Sequence, residues 1–456
     1  MEYGGVLPEA VYSATVYEEN GIPCAYQPQQ LQTAYGLNAV YEQGLDGTGQ
    51  TIVLVEGYGY PTIEKDANAY FKLTGLPLLN KNNFSIIYPE GKPSDPNVGI
   101  LTGWEVEIAM DVQSAHTIAP GAKILVVATN GQDSEDFQYS IDYVANNGLG
   151  NSVSNSYEED TDIVSGALEQ ESWDDALEIA TAQGVSANFS TGDGGDGGLG
   201  TPLGAPGVPS VAPHATAVGG TSILNDVSHP GSTITTAWGD TLAFLAYTGY
   251  VFDPPGAYGF IGGGGGGQSI FWPKPSWQAS LPDKGRQTPD VSALADPNTG
   301  VTIVVTEGGV QELQCCWGGT SLSSPIFTAI WAIANEAPGA PLGKAAPAVA
   351  ALPYGGIQDV LPKTDSSTNN VSGTITDSNG TTAYSASAIF TGLLYGNKNF
   401  TSAFLPVDGE LLDWGFGLDT SFTVTHGWDN ATGYGTPNGL TFIDAVVANS
   451  APSASK

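Results

Sequence analysis

Basic side chains are scarce in this sequence. Its 456 residues include 12 Lys and Arg against 47 Asp and Glu, which gives a formal net charge of −35 at pH 7. Because such a surface repels nucleic acid and anionic membranes, neither is expected as a partner. Only 13% of the residues are charged. Few bases remain to repel one another once the acids are protonated, so the composition favours adaptation to acid over adaptation to high salt.

Long apolar runs are also missing. No stretch of about 18 apolar residues occurs, so no transmembrane helix is expected. Residues 1–20 lack a basic start followed by an apolar core, so they do not read as a signal peptide. If the protein is secreted, we expect the sequence to be a mature or trimmed form.

Cysteine is limited to Cys24, Cys315 and Cys316, too few for a disulfide framework. One pair can form, which would leave the third thiol unpaired. The adjacent Cys315 and Cys316 have no C-x-x-C spacing and no nearby histidine. We therefore interpret them as half-buried strand residues rather than as a metal or redox site.

Apolar runs closed by glycine alternate with segments of helical periodicity. This alternation predicts an α/β fold with a doubly wound, mostly parallel central sheet and helices on both faces. Ligand sites in such sheets lie at the carboxyl ends of the strands. The predicted strands are 51–57, 122–129, 152–158 and 215–222, and 185–195 is predicted as a strand that runs into a Gly-rich loop. The predicted helices are 100–121, 133–148, 165–184 and 318–337.

The remaining segments set the expected domain boundaries. We expect an extended lead-in over 1–45, a single domain over 25–445 and a tail over 446–456. The domain would carry insertions at about 223–261 and 361–424, the first within a loop-rich stretch that reaches residue 285. Residues 300–317 read as a hairpin that turns at Glu307-Gly308-Gly309.

Ser321 is the candidate nucleophile. It lies in Gly318-Gly319-Thr320-Ser321-Leu322-Ser323-Ser324-Pro325, where a strand passes through glycines into a helix. This geometry places the hydroxyl at a helix N-terminus, where the backbone amides and the helix dipole favour an anion formed in acyl transfer. The alternative is an ordinary N-cap serine, which is a common feature of helices.

A serine nucleophile needs a base, and the histidines are poorly placed for that role. None of His116, His214, His229 and His426 lies in a His-Gly-Thr context, so we interpret them as structural. Glu107 and Asp111, four residues apart on one predicted helix, can share a proton, with one pKa raised and the other lowered. One of them can then act as a base at a pH where histidine is already charged.

Asp193 is the third candidate acid. It follows a predicted strand in Ser190-Thr191-Gly192-Asp193-Gly194-Gly195. In this position an aspartate can cap a turn, bind a metal or, when protonated, donate a hydrogen bond to an oxyanion.

Taken together, these motifs resemble the sedolisin family of serine-carboxyl peptidases, kumamolisin-like members in particular, which have a subtilisin-like fold. The family's Glu-x-x-x-Asp, Ser-x-Gly-Asp and Gly-Thr-Ser-x-x-x-Pro patterns occur here in that order. The Ala-Pro-Gly-Ala-Lys-Ile at 119–124, the glycine run at 262–267 and the Pro-Asp-Val-Ser-Ala at 289–293 are also similar.

The resemblance implies a role for each of these residues. Ser321 would be the nucleophile, Glu107 the general base and acid, Asp111 its partner and Asp193 the oxyanion donor. Glu56 would extend the hydrogen-bond network, with Tyr157 in the place of the family's usual tryptophan. The strand 154–158, with Ser154 and Ser156, would bind the extended substrate chain.

The family also binds one structural Ca²⁺. The matching positions here are Asp359, Val360, Thr425, Gly427 and Asp429, which would supply two carboxylates and three carbonyls. Thr425 stands where the family has glycine, and the two halves of the set are further apart than in the family.

The resemblance therefore implies a secreted, monomeric hydrolase. It would be an acid-acting serine endopeptidase that cleaves polypeptides through an acyl-enzyme in an acidic extracellular environment. A propeptide that aids folding and inhibits the enzyme would be absent from this sequence. Three alternatives stay open at this point. They are a tripeptidyl-peptidase of the same family, a neutral Ser-His-Asp hydrolase, and a non-catalytic binding protein on the same scaffold.

Overall fold

The computed structural model describes residues 2–5, 26–225, 233–247, 250–361, 372–377, 380–385, 401–407, 410–417 and 421–450. Its strands are β1 (Glu2–Gly5), β2 (Thr51–Glu56), β3 (Phe84–Ile87), β4 (Lys123–Ala128), β5 (Ser152–Asn155), β6 (Ser186–Ser190), β7 (Thr216–Asn225), β8 (Thr233–Ala237), β9 (Gly239–Tyr247), β10 (Tyr250–Gly263), β11 (Gly267–Pro273), β12 (Gly285–Thr288), β13 (Val291–Leu294), β14 (Val301–Glu307), β15 (Val310–Trp317), β16 (Ser372–Asp377), β17 (Gly380–Ser385), β18 (Thr401–Val407) and β19 (Glu410–Phe416). Its α-helices are α1 (Pro28–Ala34), α2 (Leu37–Tyr41), α3 (Ile63–Thr74), α4 (Val98–Thr102), α5 (Trp104–Ile118), α6 (Ser134–Asn146), α7 (Ala167–Ala182), α8 (Thr320–Glu336), α9 (Ala345–Ala350) and α10 (Gly439–Ser450).

The predicted parallel sheet is confirmed. Within the described part of the chain, its strands run in the order β13-β7-β6-β5-β2-β4-β3, and β8 adds to β7 in the antiparallel sense. Strand β2 pairs in parallel with both β4 and β5, so the order of the connections reverses at this point. Ligands bind at such a reversal in open α/β sheets, beyond the carboxyl ends of the strands.

Helices cover both faces of this sheet. On one face α5 and α8 pack beside each other and against the strands, and on the other face α6 and α7 pack together. Helix α5 is buried almost all round from Ile108 to Ile118, because it lies between the sheet, α3 and α8. Its carboxylates therefore belong to the interior and not to a solvated helix face.

The stretch 223–285 was expected to be rich in loops, and this expectation is wrong. Strands β8 to β11 occupy most of its described residues, and β9 and β10 join β18 and β19 in one antiparallel sheet in the order β10-β9-β19-β18. The two predicted insertions therefore pair with each other. Their abundant Gly, Ser and Thr hide strands whose pairing partners lie far along the sequence.

The expected boundaries also differ at both ends. The lead-in is not extended throughout, because α1 and α2 form within it, and Gln27 and Gln30 close a capping box at the start of α1. Helix α10 continues to Ser450, and Val446 is fully buried in the core. The expected tail therefore begins after this helix.

The hairpin of β14 and β15 turns through Gly308 and Gly309, as predicted. Cys315 and Cys316 are half-buried residues of β15, as expected, and a disulfide joins them directly. Cys24 lies outside the described residues. No helix among the described residues combines the length and the apolar character needed to cross a membrane.

Candidate active site

Ser321 lies in the first turn of α8. Gly319 precedes the helix with a φ of 101°, a backbone conformation that glycine adopts without strain. Ser321 is partly exposed, whereas residues 322–335 of the same helix are buried. The serine hydroxyl is therefore accessible at the positive end of a long buried helix.

Pro325 leaves the backbone carbonyl of Ser321 without its helical partner. A residue at this position would normally donate its N–H to the carbonyl four residues earlier, and proline has no N–H. The hydroxyl of Ser156 lies 3.1 Å from the Ser321 carbonyl oxygen and 2.8 Å from Oδ2 of Asp111. Ser156 therefore connects the start of α8 with the buried acids of α5.

Three carboxyl groups lie in a row in the interior behind Ser321. Glu107 and Asp111 are one turn apart on α5, and Glu56 ends β2 next to Asp111. Asp111 and Glu56 have no exposed surface, and both oxygens of Glu56, together with Oδ1 of Asp111, have no donor among the described residues. Because two bare carboxylates cannot face each other in a dry interior, a proton must lie between them.

The pKa values of these acids follow from this arrangement. Burial raises the pKa of Glu107 well above its ordinary value, the charge of Asp111 raises it further, and the hydrogen-bonding interaction with Ser321 lowers it. Burial also raises the pKa of Asp111 to about 8, although hydrogen bonds from Ser156 and Glu56 lower it. The expected pattern of one raised and one lowered pKa is therefore wrong, since both groups lie in the interior beside a third acid.

Asp193 approaches the start of α8 from the end of β6. Its Oδ1 accepts hydrogen bonds from the Thr320 backbone N–H at 2.7 Å and from the Thr320 hydroxyl at 2.9 Å. The residue is open to solvent, yet partial desolvation of its carboxyl group raises its pKa, against the effect of the two bonds from Thr320. Oδ2 is left free to carry a proton toward a ligand.

The glycine run holds the Asp193 loop in place. Gly265 N–H donates to the Gly192 carbonyl at 2.7 Å, and Gly263 N–H donates to the Asp193 carbonyl at 3.0 Å. A methyl group at Gly265 would lie 1.8 Å from the carbonyl oxygen of Thr191. Only glycine permits this approach between two backbones, so the run supports the loop that carries Asp193.

Tyr157 was expected to take part in the acid network, but it does not hydrogen-bond to any of the three acids. Its hydroxyl donates to Oδ1 of Asn155 at 2.9 Å, and its ring stacks on Phe137 at 3.9 Å on the opposite face of the sheet. Glu56 raises the pKa of Tyr157 through its charge, after burial and the charge of Glu159. The tyrosine thus lines the outer side of the network without a hydrogen bond to it.

Ser154 also differs from the expectation of a substrate contact. Its hydroxyl is fully buried and lies 2.9 Å from the Ser324 hydroxyl of α8. With the Ser156 hydroxyl held by Asp111, both serine side chains point into the protein. Ser154 and Ser156 would therefore have to contact a substrate through their backbone.

A sequence profile of the subtilase family matches residues 97–380, a range that contains Ser321, Glu107, Asp111 and Asp193. The chain belongs to the subtilase family. Kumamolisin of Bacillus sp. (strain MN-32) is 29% identical over 360 residues, which make up 74% of this chain and 56% of kumamolisin. Sedolisin of Pseudomonas sp. (strain 101) is 32% identical over 186 residues, which make up 39% of this chain and 28% of sedolisin.

Within the subtilases this chain is of the sedolisin type, as the motifs predicted, and it spans about half the length of kumamolisin. The solved structure of Pseudomonas sedolisin, a serine-carboxyl proteinase complexed with two molecules of pseudo-iodotyrostatin, superposes with a TM-score of 0.64 at 20% identity. The match covers 94% of this chain and 99% of that one. It confirms the expected subtilisin-like α/β fold.

The residues predicted to bind calcium lie in two segments of this subtilase that come together in the fold, one with Asp359 and Val360 and the other with Thr425, Gly427 and Asp429. Gly427 N–H donates to Oδ2 of Asp359 at 2.9 Å, and Thr425 N–H donates to Oδ2 of Asp429 at 3.0 Å. Oδ1 of Asp359 is buried without a partner among the described residues, and the neighbouring Val360 is buried. The described residues contain no cluster of three or more His, Cys, Asp or Glu side chains suited to a metal, so carbonyls would have to complete a shell here.

Each of the described histidines contacts residues other than Ser321. His116 is buried against Phe71 with its Nε2 2.8 Å from the Pro77 carbonyl, and burial lowers its pKa. His214 pairs with Asp174 of α7 on the face opposite to α8. His426 is exposed beside Asp359, and His229 lies outside the described residues. A histidine base is therefore disfavoured in this subtilase.

Sequence reasoning missed how two residues hold the site together. Ser156 was interpreted as a substrate contact, and Thr320 only as part of the Gly-Thr-Ser motif. The spacing from Ser321 to Pro325 contained a usable signal, because a proline within a helix requires another donor for the carbonyl four residues earlier. The identity of that donor, Ser156, follows only from the folded chain.

Proposed function

We propose that this protein is an acid-active serine endopeptidase that hydrolyses polypeptides through an acyl-enzyme. The main support is the position of Ser321 between two sets of acids. Glu107, Asp111 and Glu56 lie on one side of it, and Asp193 lies on the other. A protonatable acid set beside an accessible serine suits nucleophilic catalysis without histidine. Membership of the subtilase family supports the same reaction class.

In the first step Ser321 Oγ attacks the substrate carbonyl while Glu107 accepts the hydroxyl proton. The C–O bond forms as the carbonyl oxygen becomes an oxyanion, which receives hydrogen bonds from protonated Asp193 and from the backbone amides at the start of α8. Glu107 then gives its proton to the leaving amine as the C–N bond breaks. Water repeats the sequence on the acyl-enzyme, with Glu107 again as base.

Asp111 and Glu56 stabilise Glu107 in both of its charge states. When Glu107 takes up a proton, the shared proton behind it can shift within the buried acid set, so that one negative charge stays spread over several oxygens. The Ser156 hydroxyl donates to Oδ2 of Asp111 and thereby holds that carboxyl group in its orientation. These are positioning roles, since neither acid has to touch the substrate.

The proposed chemistry has a defined pH dependence. Asp193 must carry its proton, so activity falls as pH rises through the raised pKa of this group. Glu107 must be ionised, so activity also falls as pH is lowered through the apparent pKa of the acid set. These two requirements give a bell-shaped profile. We propose a maximum in the acid range because of the resemblance to the sedolisin type, and such a maximum would suit an enzyme secreted into an acidic environment.

The test is cleavage of an unfolded protein between pH 2 and pH 9. We expect a maximum at acid pH that is abolished in Ser321→Ala and lowered by at least about 10²-fold in Glu107→Gln. Ser172→Ala and Glu178→Gln alter exposed residues of α7 and serve as matched controls with unchanged profiles. Full cleavage by Ser321→Ala, or a maximum near pH 8, would contradict the proposal.

We also propose that Asp359 and Asp429, with the carbonyls of Val360, Thr425 and Gly427, hold one structural Ca²⁺. Oδ1 of Asp359 is buried without a hydrogen-bond partner among the described residues, and carboxylate and carbonyl oxygens are the ligands that this ion prefers. The ion would join the segment of Asp359 to the segment of Asp429. Thermal melting with and without excess chelator tests this proposal. We expect the melting temperature to fall on chelation in the wild type but not in Asp359→Asn; equal shifts in both proteins, or none in either, would contradict it.

A further inference from the structure

Glu158 lies in the segment that follows β5, close to the loop that carries Asp193. Ser154 and Ser156 direct their side chains toward α8 and α5, and Tyr157 packs on the opposite face of the sheet. Glu158 lies beyond the end of β5, and its side chain points toward Gly192 and Gly207. Unlike these two buried serines, it is exposed to solvent.

The carboxyl group of Glu158 rests on two glycines of the neighbouring loops. A methyl group at Gly192 would lie 1.8 Å from its Oε2, and one at Gly207 would lie 2.7 Å from its Oε1. Gly192 is the residue directly before Asp193. The Glu158 carboxyl is thus positioned one residue away from the proposed oxyanion donor, on a surface that has no side chains of its own.

No basic group accompanies this carboxyl within the described part of the chain. Desolvation, together with the charges of Asp193 and Asp160, raises the pKa of Glu158 to about 7. These two are the charged groups that face it, one from the loop after β6 and one from its own segment. An acid in this setting would gain a counter-charge from a bound cation.

We propose that Glu158 is a specificity-determining residue that receives a lysine or arginine side chain of the substrate, on the amino side of the scissile bond. This inference rests on the proposed function, because Asp193 and Ser321 define where the scissile carbonyl would lie. The Glu158 carboxyl itself lies against Gly192 and Gly207, and the residue is exposed, so a long substrate side chain would meet the carboxyl at the protein surface beside the Asp193 loop. The ammonium or guanidinium group then donates hydrogen bonds to the carboxyl oxygens.

The preference should depend on pH in one direction. Glu158 is neutral at low pH and becomes charged as pH rises through its raised pKa, and a bound cation lowers that pKa. Discrimination in favour of lysine should therefore increase between pH 3 and pH 6. Over the same range the side chains of lysine and norleucine do not change their charge.

The experiment compares two fluorogenic peptides that differ only in lysine or norleucine at that substrate position. We expect the wild type to favour lysine by roughly threefold to tenfold in kcat/KM at pH 6, and Glu158→Gln to bring the ratio close to one. Glu159→Gln is the matched control, because its side chain faces Ser134 and Asp133 instead of the glycine surface. A ratio that stays the same in Glu158→Gln would overturn the proposal.

A binding measurement separates this proposal from the proposed function. The affinities of the same two peptides are measured in the Ser321→Ala background, with and without Glu158→Gln, and do not require any cleavage. A lysine preference that depends on Glu158 supports the specificity role even if the wild type cleaves neither peptide, an outcome that would refute only the peptidase proposal. Equal affinities for both peptides in the Ser321→Ala background overturn the specificity role while leaving peptidase activity to its own test.

Discussion

The hydroxyl of Ser156 should control the pH at which the buried acids work. Its bond to Asp111 is 2.8 Å long, lies in the interior and stabilises the charged form of the acid set. A hydrogen bond to a charged group contributes about 1.5–3 kcal/mol. Because the charge is shared with Glu107 and Glu56, we expect Ser156→Ala to raise the apparent pKa of the set by roughly one unit, at 1.36 kcal/mol per unit.

The assay is kcat/KM for one peptide between pH 2 and pH 7. The acid limb of the Ser156→Ala profile should lie about one pH unit above that of the wild type. Ser156→Thr keeps the hydroxyl, so its acid limb should lie close to that of the wild type. Ser154→Ala is the control, since it removes a hydroxyl from the same buried row that contacts Ser324 and not the acids.

A purely structural role for Ser156 predicts a different result. Loss of a packing or helix-end contact would lower stability and reduce the rate by the same factor at every pH. The reasoning is therefore refuted if the acid limbs of Ser156→Ala and the wild type superimpose after scaling, or if Ser154→Ala moves the limb equally.

Further consequences follow from the same geometry. Asp193→Asn keeps a hydrogen-bond donor that does not titrate, so its kcat/KM should fall less steeply than that of the wild type toward neutral pH, whereas Asp193→Ala should lose about 10²–10³-fold; identical limbs in Asn and wild-type proteins would contradict this. The pKa of Asp111 is raised to about 8 from 3.8 in the unfolded chain, so its contribution to stability is full below about pH 4 and is lost as pH rises to about 8. The urea midpoint of unfolding should therefore fall over this pH range, and it should fall less in Asp111→Asn. A midpoint that rises with pH would contradict this prediction. Arg286→Met leaves Asp290 buried without its partner and should lower the free energy of unfolding by about 3–5 kcal/mol in urea, and a loss below about 1 kcal/mol would argue against a buried pair.

The catalytic candidates could be found from the sequence because each is marked locally. The four-residue spacing of Glu107 and Asp111 places both on one side of a helix, and the glycines before Ser321 mark a strand that enters a helix. Asp193 follows a strand whose end must lie at the carboxyl edge of a parallel sheet. Local rules suggested these candidates, and the order of the motifs, similar to that of the sedolisin family, gave each of them a predicted role.

The direction in which neighbouring side chains point was not available from local rules. Ser154 and Ser156 looked like substrate contacts on an exposed strand edge, but the start of α8 lies over them and takes up their hydroxyls. Tyr157 was placed in the network from the resemblance alone, and its hydroxyl instead reaches Asn155 in the next pleat. These outcomes depend on how α8 and the sheet pack together.

The sheet of β9, β10, β18 and β19 was missed for a related reason. Its strands come from two insertions that are far apart in the sequence, and β9 pairs with β19 across the intervening domain. Strand propensity is weak evidence without knowledge of the pairing partner. The same dependence on distant contacts explains why burial of Val446 in α10 was not anticipated.

The central claim is that Ser321 forms an acyl bond with help from a carboxylate instead of a histidine. The most direct measurement is the intact mass of the protein after rapid acid quenching with a slowly deacylating peptide ester at pH 4, followed by peptide mapping. The account predicts an acyl adduct on Ser321 that is lost in Ser321→Ala and forms much more slowly in Glu107→Gln, with no change in His214→Ala. An adduct at another residue, or one whose formation needs His214 and not Glu107, would contradict it.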